Sequence, residues 1–218
     1  MPQKPVISIC ISCKNRSRIQ SNQGVLELFP ECVRTLRQSC IEAGVVAELV
    51  VTDFMSTDWP LDQWLPDAWY PFTSVIVHTP ALFNLGLGKN LAAEHSSSDI
   101  LFFCETDMLV PPHVITQGMR VVDRGEGYFP EYQRFKGADR LHSEARWGNG
   151  HGVCVVLREH WLQNRWKECL GWGCGEDDAF ADWFVKKSKE AREKVTGFWH
   201  MWHPLVATKT TEDEENKP

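Results

Sequence analysis

The chain has 218 residues, 43% of them hydrophobic, which is enough for a sizeable core and favours one large domain over two small ones. Its formal charge of -6 at pH 7 argues against a general nucleic-acid binder, which normally presents a basic face. No stretch approaches the ~18 consecutive apolar residues of a membrane span. The N-terminus also lacks a long apolar run ahead of a small-residue cleavage site, so the sequence reads as soluble, unsecreted and cytoplasmic.

Val6 to Ser12 is a short β-rich run that ends in the polar cluster Lys14-Asn15-Arg16-Ser17-Arg18, as expected of a buried strand delivering a basic loop. Helical spacing follows over about Glu31 to Ala43, with Val33, Leu36, Cys40 and Ile41 on one face and Gly44 as the stop. Glu48 to Thr52 reads as a second strand that stops at Asp53, so strand, helix and strand make a parallel βαβ unit. Ser74 to His78 reads as a third strand and Asn84 to Glu94 as a helix in which Gly86 and Gly88 permit close backbone approach. Asp99 to Cys104 is a fourth strand that delivers Glu105-Thr106-Asp107. A helix is expected near Val114 to Val122, then an irregular middle from Gly125 to Gly150. Val153 to Leu157 is a late strand, Glu159 to Cys169 a helical stretch, and Glu176 to Lys189 a helix with acids at its start and lysines at its end. The polar end of the chain, residues 209–218, reads as an acidic disordered tail behind a single domain over 1–208. The expected class is α/β, a mostly parallel sheet flanked by helices, with ligands beyond the carboxyl ends of the strands.

Eight cysteines are enough for disulfides, but Cys10, Cys104 and Cys154 sit in apolar runs where they serve as small hydrophobes, which suits a reducing compartment. Cys10-x-x-Cys13 lies within a strand and has no matching second pair, so it reads as structural. Ten tryptophans suit both cores and stacking platforms for sugars or bases.

Three constellations carry chemistry. Glu105 and Asp107, on the same side of an extended segment, suit a hard divalent cation bridged to phosphate oxygens, although acids at strand ends are often only solvated. His200 and His203 share a face if their segment is helical and then reach one metal; otherwise they are half-buried among aromatics. One carboxylate with two imidazoles suits Mn²⁺ better than Mg²⁺. Glu176, Asp177 and Asp178 follow a glycine-rich turn and offer either dipole partners for a helix start or a general base beside Trp172. Lys14, Arg16, Arg18 and Lys89 are candidates to neutralise a diphosphate. No G-x-x-x-x-G-K-[ST] loop is present, and Gly86-x-Gly88 is too short for a dinucleotide fingerprint.

The order of these motifs, from Val6 to Pro204, resembles a GT-A glycosyltransferase, nearest to family-2-type enzymes and the inverting animal β-galactosyltransferases. The resemblance implies that Ser12, Lys14, Asn15, Arg16 and Asp53 hold the nucleotide. Asp58 would lie in the following turn, Lys89 on the phosphate side, and Thr106 among the donor-binding residues. Glu105-Thr-Asp107 occupies the place of the Asp-x-Asp metal motif. Gly150-His-Gly152 resembles the segment lining the donor sugar. Gly171-Trp172-Gly-Cys-Gly-Glu-Asp-Asp resembles a Gly-Trp-Gly-Gly-Glu-Asp segment with one extra residue, which leaves the base to be chosen among Asp177 and its neighbours. His203 takes the place of the histidine in Met-x-x-His, and His200 enters by position, so the implied metal set is Asp107, His203, His200 and Glu105. The implied reaction is Mn²⁺- or Mg²⁺-dependent inverting transfer from a nucleoside-diphosphate sugar, with uridine diphosphate as the default, to a glycan or other hydroxyl acceptor. A nucleic-acid acceptor is the weaker alternative on charge. Competing readings are a nucleotidyltransferase on a similar sheet and a non-catalytic sugar- or nucleotide-binding module.

Overall fold

The computed structural model describes residues 4–22, 24–135, 145–148, 151–171 and 174–204. Strand β1 (Ile7–Cys13) is buried along its whole length. Ile7, Ile9, Ile11 and Cys13 join one core layer and Cys10 the other, as a central strand covered on both faces requires. The ribbon of β2 (Ile19–Ser21) and β3 (Gly24–Leu26) stands apart from the main sheet. Helix α1 (Leu28–Glu42) buries Phe29, Cys32, Val33, Leu36 and Cys40, an apolar stripe at helical spacing. Strand β4 (Ala47–Asp53) runs parallel to β1 and brings Asp53 opposite Cys13. After a 3-10 turn at Leu61–Gln63 and helix α2 (Leu65–Trp69), β5 (Thr73–His78) sets His78 opposite Asp53.

Helix α3 (Leu85–Glu94) is capped by Asn84, whose Oδ1 accepts from the backbone N–H of Leu87 at 2.9 Å. Its glycines are there for contact. A Cβ on Gly86 would stand 2.0 Å from the carbonyl oxygen of Lys167, and one on Gly88 would stand 2.1 Å from Ser12 Oγ. Strand β6 (Ile100–Cys104) completes the parallel half. Next come β7 (Met108–Leu109), α4 (Pro112–Val122), β8 (Gly127–Phe135), β9 (Ala145–Gly148) and β10 (Cys154–Leu157). Helices α5 (Arg158–Gln163) and α6 (Glu176–Lys186) precede the long strand β11 (Glu190–His200).

The sheet order is β5-β4-β1-β6-β10-β8-β11-β7, with β9 on β8. The first four strands are parallel; β10 is antiparallel to both β6 and β8, while β11 runs parallel to β8 and antiparallel to β7. One face is covered by α1 and α4, the other by α3, α6 and the rings of Trp161 and Trp166. Each fully buried large apolar side chain in these layers stabilises the fold by roughly 1.5–3 kcal/mol.

Three expectations need correction. The middle of the chain is not irregular, since residues 127–135 and 145–148 pair as β8 and β9. The helix after β10 ends at Gln163, not near Cys169. The segment leading to His200 is a strand, so the two histidines do not share a helical face. The charged and apolar residues of 190–200, which show no regular alternation, are held by pairing with β8, a partner distant in sequence. Six cysteines are buried thiols, as expected of small core hydrophobes, but Cys169 and Cys174 form a disulfide. No described helix is long and apolar enough to cross a membrane.

Candidate active site

Parallel pairing in register places the carboxyl ends of β1, β4 and β6 at one edge, so the loop after Cys13, the turn after Asp53 and the Glu105-Thr-Asp107 segment lie side by side. Strand β11 reaches that edge from the other half of the sheet. Its last residue, His200, is flanked by Met108 on β7 and Arg134 on β8. The backbone N–H of Met201 then donates to the carbonyl oxygen of Asp107 at 2.7 Å and fixes the chain where His203 follows.

Asp107 is the centre of this group. Its Oδ2 is 3.1 Å from Nε2 of His203 and 3.6 Å from Nε2 of His200, while its buried Oδ1 has no hydrogen-bond partner among the described residues. Ligand atoms of the three residues lie within 4.8 Å of one another. Burial alone would raise the pKa of Asp107, but His200, His203 and Arg16 outweigh it and hold the carboxyl down at about 2. His200 is itself depressed, chiefly by burial. Nδ1 of His203 lies 2.9 Å from the carbonyl oxygen of Pro204; donation there leaves Nε2 with a lone pair for a cation. Arg16 Nη1 stands 3.2 Å from the same Nδ1; a guanidinium only donates, so with Nδ1 protonated it contributes its charge there and not a hydrogen bond. A carboxylate with an unpartnered oxygen beside two imidazoles fits a divalent transition-metal ion.

Glu105 takes another direction. Residues 106 and 107 form a turn rather than an extended segment, so the expected same-side placement of Glu105 and Asp107 fails, and Glu105 lies outside the 4.8 Å group. Instead its Oε1 would be 2.5 Å from a Cβ on Gly152, and Asp177 Oδ2 would be 2.9 Å from that Cβ. Only glycine lets the two carboxylates close over this backbone. Burial pushes Glu105 up to about 7, partly offset by Lys89. Thr106, in the turn, is buried.

The acid triplet at the start of α6 is divided by its surroundings. Glu176 is buried, and Asp178 is 80% exposed and bonded to Nδ1 of His151 at 2.9 Å. Asp177 lies between, 30% exposed, with Oδ1 3.1 Å from Nζ of Lys89. Lys89 was expected to face a diphosphate, but it is fully buried and its ammonium is engaged by Asp177 and the carbonyl oxygen of Gly152 at 3.0 Å. Burial would depress its pKa; Asp177 and Glu105 outweigh that and keep it a cation.

The remaining predicted residues build the loop wall. Lys14 Nζ donates to the carbonyl oxygen of Phe54 at 2.5 Å, tying the first loop to the turn after β4. Asn15, at a φ of +50°, donates through its N–H to Ser56 Oγ and accepts from Thr57 N at 2.8 Å. Asp53 is buried, accepts from Ser56 N at 3.1 Å and lies 3.3 Å from Nδ1 of His78. Asp58 accepts from Arg18 N at 2.8 Å, and its buried Oδ1 lacks a partner among the described residues. The same is true of Ser12 Oγ, under Gly88. Gly150 and Trp172 lie outside the described residues.

Sequence reasoning missed Arg134 and Tyr132. Arg134 Nη2 donates to the Tyr132 hydroxyl at 2.9 Å, and Tyr132 stacks on His200 with ring centroids 5.9 Å apart. Arg134 also acts on Glu105 and Asp107 through its charge. Alternation of Tyr128, Pro130, Tyr132 and Arg134 was the available signal, and it points to a strand rather than to a site.

No protein-family model and no curated protein matches the sequence. Solved structures do match in fold. TarS of S. aureus, residues 1–349, aligns with a TM-score of 0.68 at 11% identity, over 91% of this chain and 60% of that one. The same protein in complex with UDP-GlcNAc gives 0.70 at 9% identity over 95% and 61%. Its complex with UDP gives 0.65 at 11% identity over 93% and 61%. The chain spans about three fifths of these neighbours and shares their fold, a sheet flanked by helices.

Proposed function

We propose that this protein is a metal-dependent glycosyltransferase of the GT-A kind, which moves a sugar from a nucleoside-diphosphate donor to an acceptor hydroxyl with inversion. The observation that carries the reading is Asp107 with its unpartnered Oδ1, flanked by His200 and His203 and by the guanidinium of Arg16, at the carboxyl edge of the sheet. A fold shared with a protein crystallised with UDP-GlcNAc and with UDP supports a nucleotide-sugar donor, with uridine as the default base. The motif order supports kinship with family-2-type enzymes and with the inverting β-galactosyltransferases.

Asp107, His200 and His203 would hold a Mn²⁺ or Mg²⁺ ion, with Glu105 behind them as a charge neighbour. The ion, when bound, supplies positive charge for the oxygens of the departing diphosphate. Arg16 and Arg134, whose charges both act on Asp107, would stabilise the diphosphate's negative charge with their guanidinium groups. Ser12, Lys14, Asn15, Asp53 and Asp58 shape the loop wall for the nucleoside. Gly152 lets Glu105 and Asp177 close over its backbone, which sets the two carboxylates side by side. Asp177 takes the proton of the acceptor hydroxyl as that oxygen attacks the anomeric carbon from the face opposite the leaving group. Glu176 is buried and Asp178 is turned to His151, which favours Asp177 over its neighbours for this role.

The test is thermal melting against UDP, GDP, dTDP and CDP and their common sugars, with and without Mn²⁺. A shift for one nucleotide that requires Mn²⁺ is the expected result, and it names the donor base. Absence of a shift with the whole panel sinks the donor assignment and leaves the fold without this activity.

A further inference from the structure

Lys89 lies on α3, 88 residues before Asp177, the acid it touches, and its side chain is 0% exposed. Its Nζ donates to the carbonyl oxygen of Gly152 and to Oδ1 of Asp177, and stands 3.9 Å from the ring centroid of Trp166. That ring is stacked on Phe180 with centroids 3.9 Å apart and 7° between planes, and Phe180 lies one turn after Asp177 on α6. The neighbouring Asn90 fixes the same stretch. Its Nδ2 donates to the carbonyl oxygen of Trp166 at 3.0 Å, while its Oδ1 accepts from Trp166 N at 3.1 Å and from Trp161 Nε1 at 3.0 Å. Lys89 is thus a rigidly held cation between two carboxylates, Asp177 and Glu105, on either side of a glycine that has no room for a Cβ.

A cation buried to this degree cannot follow a ligand that comes and goes, because removing its partners would leave a charge in a poorly hydrated place. We infer that Lys89 is a positioning residue for Asp177: by holding Oδ1, it fixes the carboxylate on α6 so that Oδ2 presents to the acceptor hydroxyl. The assignment rests on the reading of Asp177 as the base. It replaces the diphosphate role expected from sequence, which predicts a different kinetic signature.

The experiment compares Lys89→Met, Lys89→Arg, Asp177→Asn and the double variant Lys89→Met/Asp177→Asn. Two readouts are used: the Mn²⁺-dependent melting shift with UDP, and release of nucleoside diphosphate by hydrolysis of UDP-, GDP-, dTDP- and CDP-sugars, which needs no acceptor. Lys89→Met is expected to keep the shift and the donor KM while kcat falls about 100-fold, the low end for loss of a positioned acid or base. The double variant should be no slower than Asp177→Asn, and Lys89→Arg should recover part of kcat. A raised donor KM with kcat retained would show a phosphate ligand and overturn the proposal. If Lys89→Met does not fold, Lys89→Arg decides alone: kcat reduced at unchanged KM supports positioning, and kcat unchanged with raised KM rejects it. Full activity in Asp177→Asn, or no hydrolysis of any donor by the unaltered protein, fells the base reading and this assignment with it. By contrast, a Lys89 result of the wrong kind with Asp177→Asn inactive leaves the base reading standing.

Discussion

Asp107 Oδ2 stands 3.1 Å from Nε2 of His203, while Oδ1 of the same carboxylate is buried without a hydrogen-bond partner among the described residues. The two residues meet because β11 pairs with β7 and the backbone of Met201 binds that of Asp107. Asp107→Asn and His203→Ala should each weaken Mn²⁺ binding by at least about 100-fold, beyond the effect of disturbing an outer residue. Titration of Mn²⁺ by paramagnetic resonance measures this directly. Retained Mn²⁺ affinity in both variants removes the cation from this cluster.

Gly152 separates Glu105 from Asp177, and a Cβ there would come within 2.5 Å of one carboxylate and 2.9 Å of the other. Gly152→Ala should cost about 1–3 kcal/mol of stability through overpacking. It should also cut donor hydrolysis, since Asp177 must move. Urea unfolding together with the hydrolysis assay checks both; an active variant of normal stability contradicts the tight approach.

Arg134 reaches the site from β8, in register with His200. A charge-assisted hydrogen bond to phosphate is worth about 1.5–3 kcal/mol, so Arg134→Ala should raise the Kd for UDP in the presence of Mn²⁺ by roughly 10- to 100-fold. Arg134→Lys should restore little of it, because an ammonium lacks the planar fork. Calorimetric titration decides, and unchanged affinity in Arg134→Ala would place the diphosphate elsewhere.

Away from the site, His160 is 2% exposed and packs on Trp183 and Phe184. Burial first, then Lys189, holds its pKa below the usual 6.5. The unfolded chain therefore binds the proton more readily than the folded one. The stabilisation is present above about pH 6.5 and is lost as pH falls through the depressed folded value. His160→Phe should lose less stability than the unaltered protein between pH 7.5 and pH 5. Equal losses by urea midpoint would rule out His160 as the source.

Much of the architecture was legible from local pattern. The apolar runs ending at Cys13, Asp53, His78 and Cys104 are strands, Asn84 caps the helix that follows it, and Gly86 and Gly88 mark close approaches. Each of these depends on residues within one element or one turn. Strands β8 and β11 were missed because β8 is interrupted by Pro130 and Glu131 and β11 is half-exposed and rich in charge, and the two are held by each other.

The sequence by itself determined which chemical groups were available: an acid after β6, a late histidine pair, an acid triplet behind a glycine turn and a basic loop after β1. Only the tertiary structure decided their partners. It brought His200 and His203 to Asp107 through a strand rather than a helix, separated Glu105 from Asp107 by a turn, and buried Lys89 against Asp177. The physical reason is that side-chain type and periodicity are local properties of the chain. Sheet order and register, which set whose charge meets whose, are fixed by pairing between residues far apart in sequence.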